Sequence, residues 1–335
     1  MLAKKIRSMI KIQTLEELQT FTAKNVKTTI ATFEHYAQEG AKLKPIEKIF
    51  GNYVLDNSLV HFPAKRGSGK SLLCLQLCLA ITHRYSEFIG EPITKHGKCI
   101  FFDFEMSPWI TQRRAFQLKK HAPIYLQEFS DDLIIYNTRN SFIEDFDQIN
   151  RLIYENKPIL IVIDNLRNCI KNANTNSGQE MGNFFGILNG LKQIHKFSVI
   201  IVDHLRKHTD NIVNGSSDLQ SGSGIKSDLS DADFLLRNSS IDKDLRLMKR
   251  IKSRMTEESD KVKLIKLNPA TLWFELIEED VNEADHIGIS QIQDKEELKD
   301  RAFDMHEKGM TLEEIAKILN KSKSTIHRYI NQKKQ

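Results

Sequence analysis

The period of hydrophobic and polar positions changes three times along this chain. Between residues 1 and 45, apolar side chains recur at steps of three to five, at Leu15, Leu18, Phe21, Val26, Ile30 and Phe33, with lysines and glutamates between them. That spacing predicts an N-terminal helical segment, closed near Gly40 and Pro45. From 46 to 277 short apolar runs alternate with amphipathic stretches, the pattern of a mainly parallel sheet with crossover helices in an α/β fold. Runs at 59–62, 99–104, 133–136, 159–163 and 198–202 predict its strands. Runs at 234–236, 245–252, 262–268 and 272–276 predict an antiparallel extension. The stretch 278–295 is acidic and then polar without an apolar period, and reads as a linker. Helical spacing returns over 296–335. There is no internal repeat, and 211–230, rich in Ser, Gly, Asn and Asp, is the most loop-like interior stretch.

Composition narrows the class without changing this picture. With 335 residues, 40% hydrophobic and 28% charged, the chain can bury one sizeable core and carry small appendages. A net charge of +5 is compatible with nucleic acid but does not demand it. No apolar stretch approaches the roughly 18 residues of a membrane span. The start, MLAKKIRSMIKIQT, has no continuous apolar run, so neither a membrane partner nor a signal peptide is expected. Cys74, Cys78, Cys99 and Cys169 sit in apolar stretches without CxxC spacing, as reduced packing residues of a cytoplasmic protein do. Cys74 and Cys78 could share a helix face, but no histidine lies in phase to complete a metal site.

The chemistry centres on Ala64, Lys65, Arg66, Gly67, Ser68, Gly69, Lys70, Ser71 and Leu72. Glycines 67 and 69 let the backbone curl its N–H groups toward phosphate oxygens. Lys70 would hold the β- and γ-phosphates of ATP, and the Ser71 hydroxyl would join the shell of a Mg²⁺ ion. An apolar run precedes the loop and a helix patterned by Leu72, Leu75 and Leu79 follows it, so the helix N-terminus adds its field at the anion. Ala64 stands where the P-loop pattern has its first glycine. The uninterrupted run Ile159–Ile163 ends in Asp164, placed to hold the magnesium water shell. Glu105, just past another strand, is a candidate to polarise the attacking water; Asp103, two residues earlier, is its rival.

With these motifs the stretch 46–277 resembles a RecA-like P-loop NTPase core, of the branch holding DnaB-type replicative helicases and RepA-type plasmid helicases. The run Glu105-Met-Ser107 is similar to the family's catalytic glutamate segment, and Phe88-Ile-Gly-Glu-Pro92 and Gly97-Lys-Cys-Ile-Phe-Phe102 resemble the RepA-type pattern. Ser198-Val-Ile-Ile-Val-Asp-His204 looks like the strand that ends in a γ-phosphate sensor, a role that falls to His204. The segment from Ser217 to Ile225, with Asp231-Ala-Asp233, is similar to a DnaB-type segment, with Gln220 in place of its arginine. Lys252-Ser-Arg254 sits where the family carries a finger that reaches a neighbouring subunit's nucleotide, so the resemblance implies a homo-oligomer, up to a hexamer. Arg113 or Arg114 is a further candidate for a nucleotide or subunit contact.

The C-terminal spacing predicts a helix-turn-helix. Gly309 ends one helix, and Thr311 with Glu314 forms a capping box for the next. Leu312, Ile315, Ala316 and Leu319 give that helix its buried face, and Ile326, Tyr329 and Ile330 face inward from the following one. Lys323, Ser324, Thr325, His327 and Arg328 are left to meet DNA. The pattern resembles resolvase-type modules. The combined expectation is an oligomeric, DNA-binding ATPase, helicase-like, in the replication or maintenance of mobile DNA. A nucleotide-switched DNA-binding regulator or loader, and a RecA-like recombination or repair ATPase, are the rival classes.

Overall fold

The computed structural model of the protein describes residues 16, 30–123, 131–171, 178–204, 225–257, 261–287, 289–319 and 321–333. Its strands are β1 (Lys48–Phe50), β2 (Val54–Leu55), β3 (Leu59–Ala64), β4 (Glu87–Phe88), β5 (Glu91–Pro92), β6 (Cys99–Asp103), β7 (Leu133–Asn137), β8 (Leu160–Asp164), β9 (Ser198–His204), β10 (Ala232–Asn238), β11 (Leu245–Ser253), β12 (Val262–Leu267) and β13 (Phe274–Glu278). One nine-stranded sheet runs β13-β12-β11-β10-β3-β9-β8-β6-β7, and β1–β2 and β4–β5 form small two-stranded ribbons. From β10 through β7 all pairings are parallel. From β10 to β13 they are antiparallel. The α/β reading with an antiparallel extension is what the structure shows.

Strands β3, β6 and β8 are buried at every position. Both faces of the sheet are covered, and this is why β6 and β8 read as apolar runs up to their final aspartates and β3 as one interrupted only by His61. Alternation then divides the core in two. Val60, Phe62, Phe101, Val162, Ile200 and Val202 pack against the Lys70–Thr82 helix. Leu59, Ile100, Phe102, Ile161, Ile163 and Ile201 pack on the other face, against the Phe146–Asn156 and Gly178–His195 helices. The Lys70–Thr82 helix is buried on all sides except at Ser71, as its nearly continuous apolar sequence requires. It therefore holds the phosphate loop rigidly against the sheet.

Two expectations are revised. The predicted strand at 272–276 begins only at Phe274, because the Asn268 carbonyl and side chain close a turn on Ala270, Thr271 and Leu272. The stretch 278–295 is not without regular structure: Asn282 caps a short Glu283–His286 helix, and a second helix, Ile289–Glu307, starts inside it. Of the N-terminal segment, a Phe33–Gly40 helix capped by Thr32 is described. Its apolar residues Ile30, Phe33 and Tyr36 are exposed; Leu15, Leu18, Phe21 and Val26 lie outside the described residues.

Residues 282–335 belong to a separate compact unit. There the Ile289–Glu307, Leu312–Ile318 and Lys323–Lys333 helices close on Ala302, Ile315, Leu319, Ile326, Tyr329 and Ile330. The capping box of Thr311 and Glu314 is formed, and Gly309 takes the positive φ of 85° that ends the first helix.

Candidate active site and helix-turn-helix surface

β3 delivers the chain to the phosphate loop. Ala64 is the last residue of that extended, fully buried strand and needs no positive φ, so alanine serves where the motif has glycine. Gly67 and Gly69 do need the freedom, at φ 76° and 92°. A Cβ on Gly69 would also come within 2.8 Å of the Phe274 ring. Lys65, Arg66 and Gly67 are exposed, whereas Ser68 and Lys70 are buried. Leu72 packs into the core below them. Arg246, buried on β11, clamps the loop from the side: its Nε donates to the Ser68 carbonyl at 2.8 Å, and its Nη1 donates to the Lys243 and Leu245 carbonyls.

Asp103, Asp164 and His204 stand at the loop ends of adjoining parallel strands. Asp103 is fully engaged. Its Oδ1 accepts from the Glu105 and Met106 amides at 3.1 and 2.8 Å, and its Oδ2 from Thr111 and Asn137 at 2.5 and 3.0 Å. It builds the turn that presents Glu105, which leaves Glu105, partly buried and beside the loop, as the carboxylate open to chemistry. Asp164 is buried near Ser71, and its Oδ1 meets no partner among the described residues. Burial, with Glu105 and Asp103 nearby, pushes its carboxyl up to about 7 against the pull of Ser71 and Lys70. An orphaned carboxylate oxygen beside a serine hydroxyl is an all-oxygen donor set that fits Mg²⁺, and Ser71 and Asp164 would hold it.

A connected row of side chains then spans the site. Glu105 Oε2 accepts a short hydrogen bond from Asn165 Nδ2. Asn165 Nδ2 lies 3.3 Å from His204 Nε2, and His204 Nδ1 lies 3.1 Å from Lys70 Nζ. Burial and the Lys70 charge hold the His204 ring below its ordinary pKa. A neutral ring accepts at a single nitrogen, so Lys70 and Asn165 compete for its lone pair. Burial also lowers Lys70, against Asp164 and Glu105.

Lys252 and Arg254 are not brought into this row. Ser253 of β11 pairs with Ala232 of β10, which pairs with Val60 at the start of β3, whereas the phosphate loop follows the other end of β3. Lys252 Nζ donates to the Ser227 and Ser230 carbonyls, the latter at 3.0 Å, and exposed Arg254 donates to the Asp228 carbonyl. Arg113 stacks on Trp109, 4.9 Å from the ring centre, and Arg114 is partly buried on the same helix. Gln220 lies outside the described residues.

On the helix-turn-helix unit, Lys323, Ser324, His327 and Arg328 are exposed and Thr325 is half-buried. The Ser322 hydroxyl accepts from the Thr325 amide at 3.2 Å, seating the start of the helix that carries them. Lys323 is paired with Glu313 of the preceding helix. Asn165 and Arg246 were not foreseen. Asn165 carried a faint signal, directly after the aspartate of the β8 run. Nothing local marks Arg246, whose partner Ser68 is 178 residues away.

A family model described as an AAA domain matches residues 27–210, more than half of the chain. A second, described as a helix-turn-helix domain, matches residues 297–332. No curated protein matches the chain. No helix among the described residues is long and apolar enough to cross a membrane.

Proposed function

Because the chain belongs to the AAA domain family, a family of P-loop ATPases, and carries a helix-turn-helix domain, we propose that it is a DNA-bound, helicase-like ATPase working as an oligomer. The row Glu105–Asn165–His204–Lys70 carries this reading. It links a carboxylate able to orient water to the lysine that grips the terminal phosphate, through a histidine able to sense that phosphate. When bound, Mg²⁺ supplies charge neutralisation on the phosphate oxygens. The loop amides and Lys70 bind and orient ATP. Glu105, held by Asn165, aligns the attacking water and takes its proton. His204 exchanges its contact with Lys70 for one with the γ-phosphate.

The far position of Lys252 and Arg254 supports a role in trans, each subunit lending its arginine to the next subunit's nucleotide. Similarity to RepA- and DnaB-type helicases supports a ring and a task in mobile-DNA replication or maintenance. The test mixes two inactive proteins, Lys70→Ala and Arg254→Ala. Recovery of ATP turnover on mixing supports a shared site, and none in any ratio overturns it. Turnover indifferent to every DNA, with nucleotide changing only affinity for one operator-like site, would support the regulator reading. Filaments on DNA would support the recombinase one.

A further inference from the structure

Across the sheet from the phosphate loop lies a buried charged cluster that the hydrolysis site does not use. Asp203 immediately precedes His204 on β9, so alternation sends the two side chains to opposite faces of the sheet. Asp203 Oδ2 lies 2.7 Å from Lys226 Nζ and 3.2 Å from His61 Nε2, and all three side chains are almost completely buried. Its Oδ1 accepts from the backbone amide of His204 at 2.8 Å. Burial alone would raise the Asp203 carboxyl, but His61 and Lys226 together hold it low and ionised. The cluster is not fully satisfied, since His61 Nδ1 meets no partner among the described residues. Replacing such a buried ion pair with apolar side chains is often neutral or stabilising, so its presence here is poorly explained by stability alone.

Lys226 anchors the Ile225–Leu229 helix, which is too short to hold itself in place. The same helix and the turn after it supply the carbonyls that receive the two basic residues of β11. Ser227 and Ser230 accept from Lys252, and Asp228 accepts from Arg254. Contacts therefore run without a break from Lys70 to His204, through the His204 amide to Asp203, on to Lys226, and along the short helix to Lys252 and Arg254. We propose that Asp203 and Lys226 are a positioning pair. They carry the state of the phosphate site, felt at His204, through the sheet to the Ile225–Leu229 helix, and so set where Lys252 and Arg254 are held. The proposal rests on Lys70 and His204 being the nucleotide contacts described above.

Hydrogen–deuterium exchange on the full chain, with and without Mg²⁺ and a non-hydrolysable ATP analogue, tests the pair. Two regions are followed: the Lys70–Thr82 helix, which reports binding, and 225–238, which reports the far side of the sheet. In the wild type the analogue slows exchange in both, by about tenfold at 225–238, a typical coupling between sites. In Lys226→Met the first region responds as before, while the response at 225–238 falls to within about twofold. Lys226→Met leaves Asp203 buried with His61 as its remaining side-chain partner and should melt earlier. The double variant Asp203→Asn with Lys226→Met removes both charges and should recover the melting temperature without recovering the coupling. Lys226→Arg, which keeps the charge, should restore it. A full response at 225–238 in Lys226→Met or in the double variant would overturn the proposal. So would a wild type that responds at 70–82 alone. If neither region of the wild type responds, the nucleotide reading fails and takes the positioning pair with it.

Discussion

Asn165 performs two jobs with one amide, and a substitution can separate them. Its Oδ1 accepts from the Asn168 amide at 3.1 Å, capping the Leu166–Cys169 turn, while its Nδ2 donates to Glu105. Serine is as good a cap as asparagine, so Asn165→Ser should change stability by no more than about 1 kcal/mol. Its hydroxyl is too short to replace the bond to Glu105. A hydrogen bond to a charged group contributes about 1.5–3 kcal/mol. If that orientation is felt fully in the transition state, turnover should fall about ten- to a hundredfold. Nucleotide affinity should stay near wild type, because the loop and Lys70 are untouched. Asn165→Ala should show the same slowing and a further loss of about 1 kcal/mol of stability from the missing cap. Asn165→Asp keeps the cap but sets a second carboxylate against Glu105, and should be slower than serine. Steady-state ATP turnover, thermal melting and equilibrium binding of a fluorescent ATP analogue read the three quantities separately. An Asn165→Ser protein that is well folded and turns over ATP at the wild-type rate would refute the claim that Asn165 orients Glu105.

His195, half-buried against Phe197 and bonded to Asn150, is pushed from 6.5 down to about 4 by burial. As pH falls below 6.5 the unfolded chain takes up this proton before the folded one does. Stability is therefore lost between pH 6.5 and about 4, by up to about 3 kcal/mol, and His195→Phe should flatten that part of a melting-temperature profile. On the helix-turn-helix, Arg328→Ala should weaken DNA binding about tenfold and reduce its salt dependence, as measured by fluorescence anisotropy at several salt concentrations. Glu313→Gln should have the opposite sign, because it frees Lys323 from its ion pair and removes a negative charge beside the recognition helix; tighter binding in the same titration is the expected result.

What the sequence made legible was whatever is written in consecutive residues. The runs that lead to Asp103 and Asp164, and the run 199–202 that leads to Asp203 and His204, are apolar at every position because both sheet faces are covered, and the polar residues that end them mark the strand ends where the site lies. The capping box at Thr311 and the buried positions of the last two helices are local in the same sense. What was hidden depends on long-range pairing. That Asp103 is tied up by four hydrogen-bond donors, from Glu105, Met106, Thr111 and Asn137, is such a feature, and the most distant donor is 34 residues away. Arg246 reaches the phosphate loop because β11 folds back on β10, which lies beside β3. That same reversal carries Lys252 and Arg254 to the opposite end of the sheet, a placement that spacing cannot reveal. The acidic stretch after Glu278 carries a helix, Glu283–His286, too short for an apolar period to register.

Glu105 is where the account is most exposed, and Glu105→Gln tests it most directly. The substitution keeps the shape and the bond to Asn165 but removes the base. Binding of Mg²⁺ and ATP should stay within about threefold of wild type, while DNA-stimulated turnover should fall by about a hundredfold or more, the range for losing a general base. Wild-type turnover in Glu105→Gln, or loss of binding and turnover together, would contradict the assignment of Glu105 as the residue that activates water.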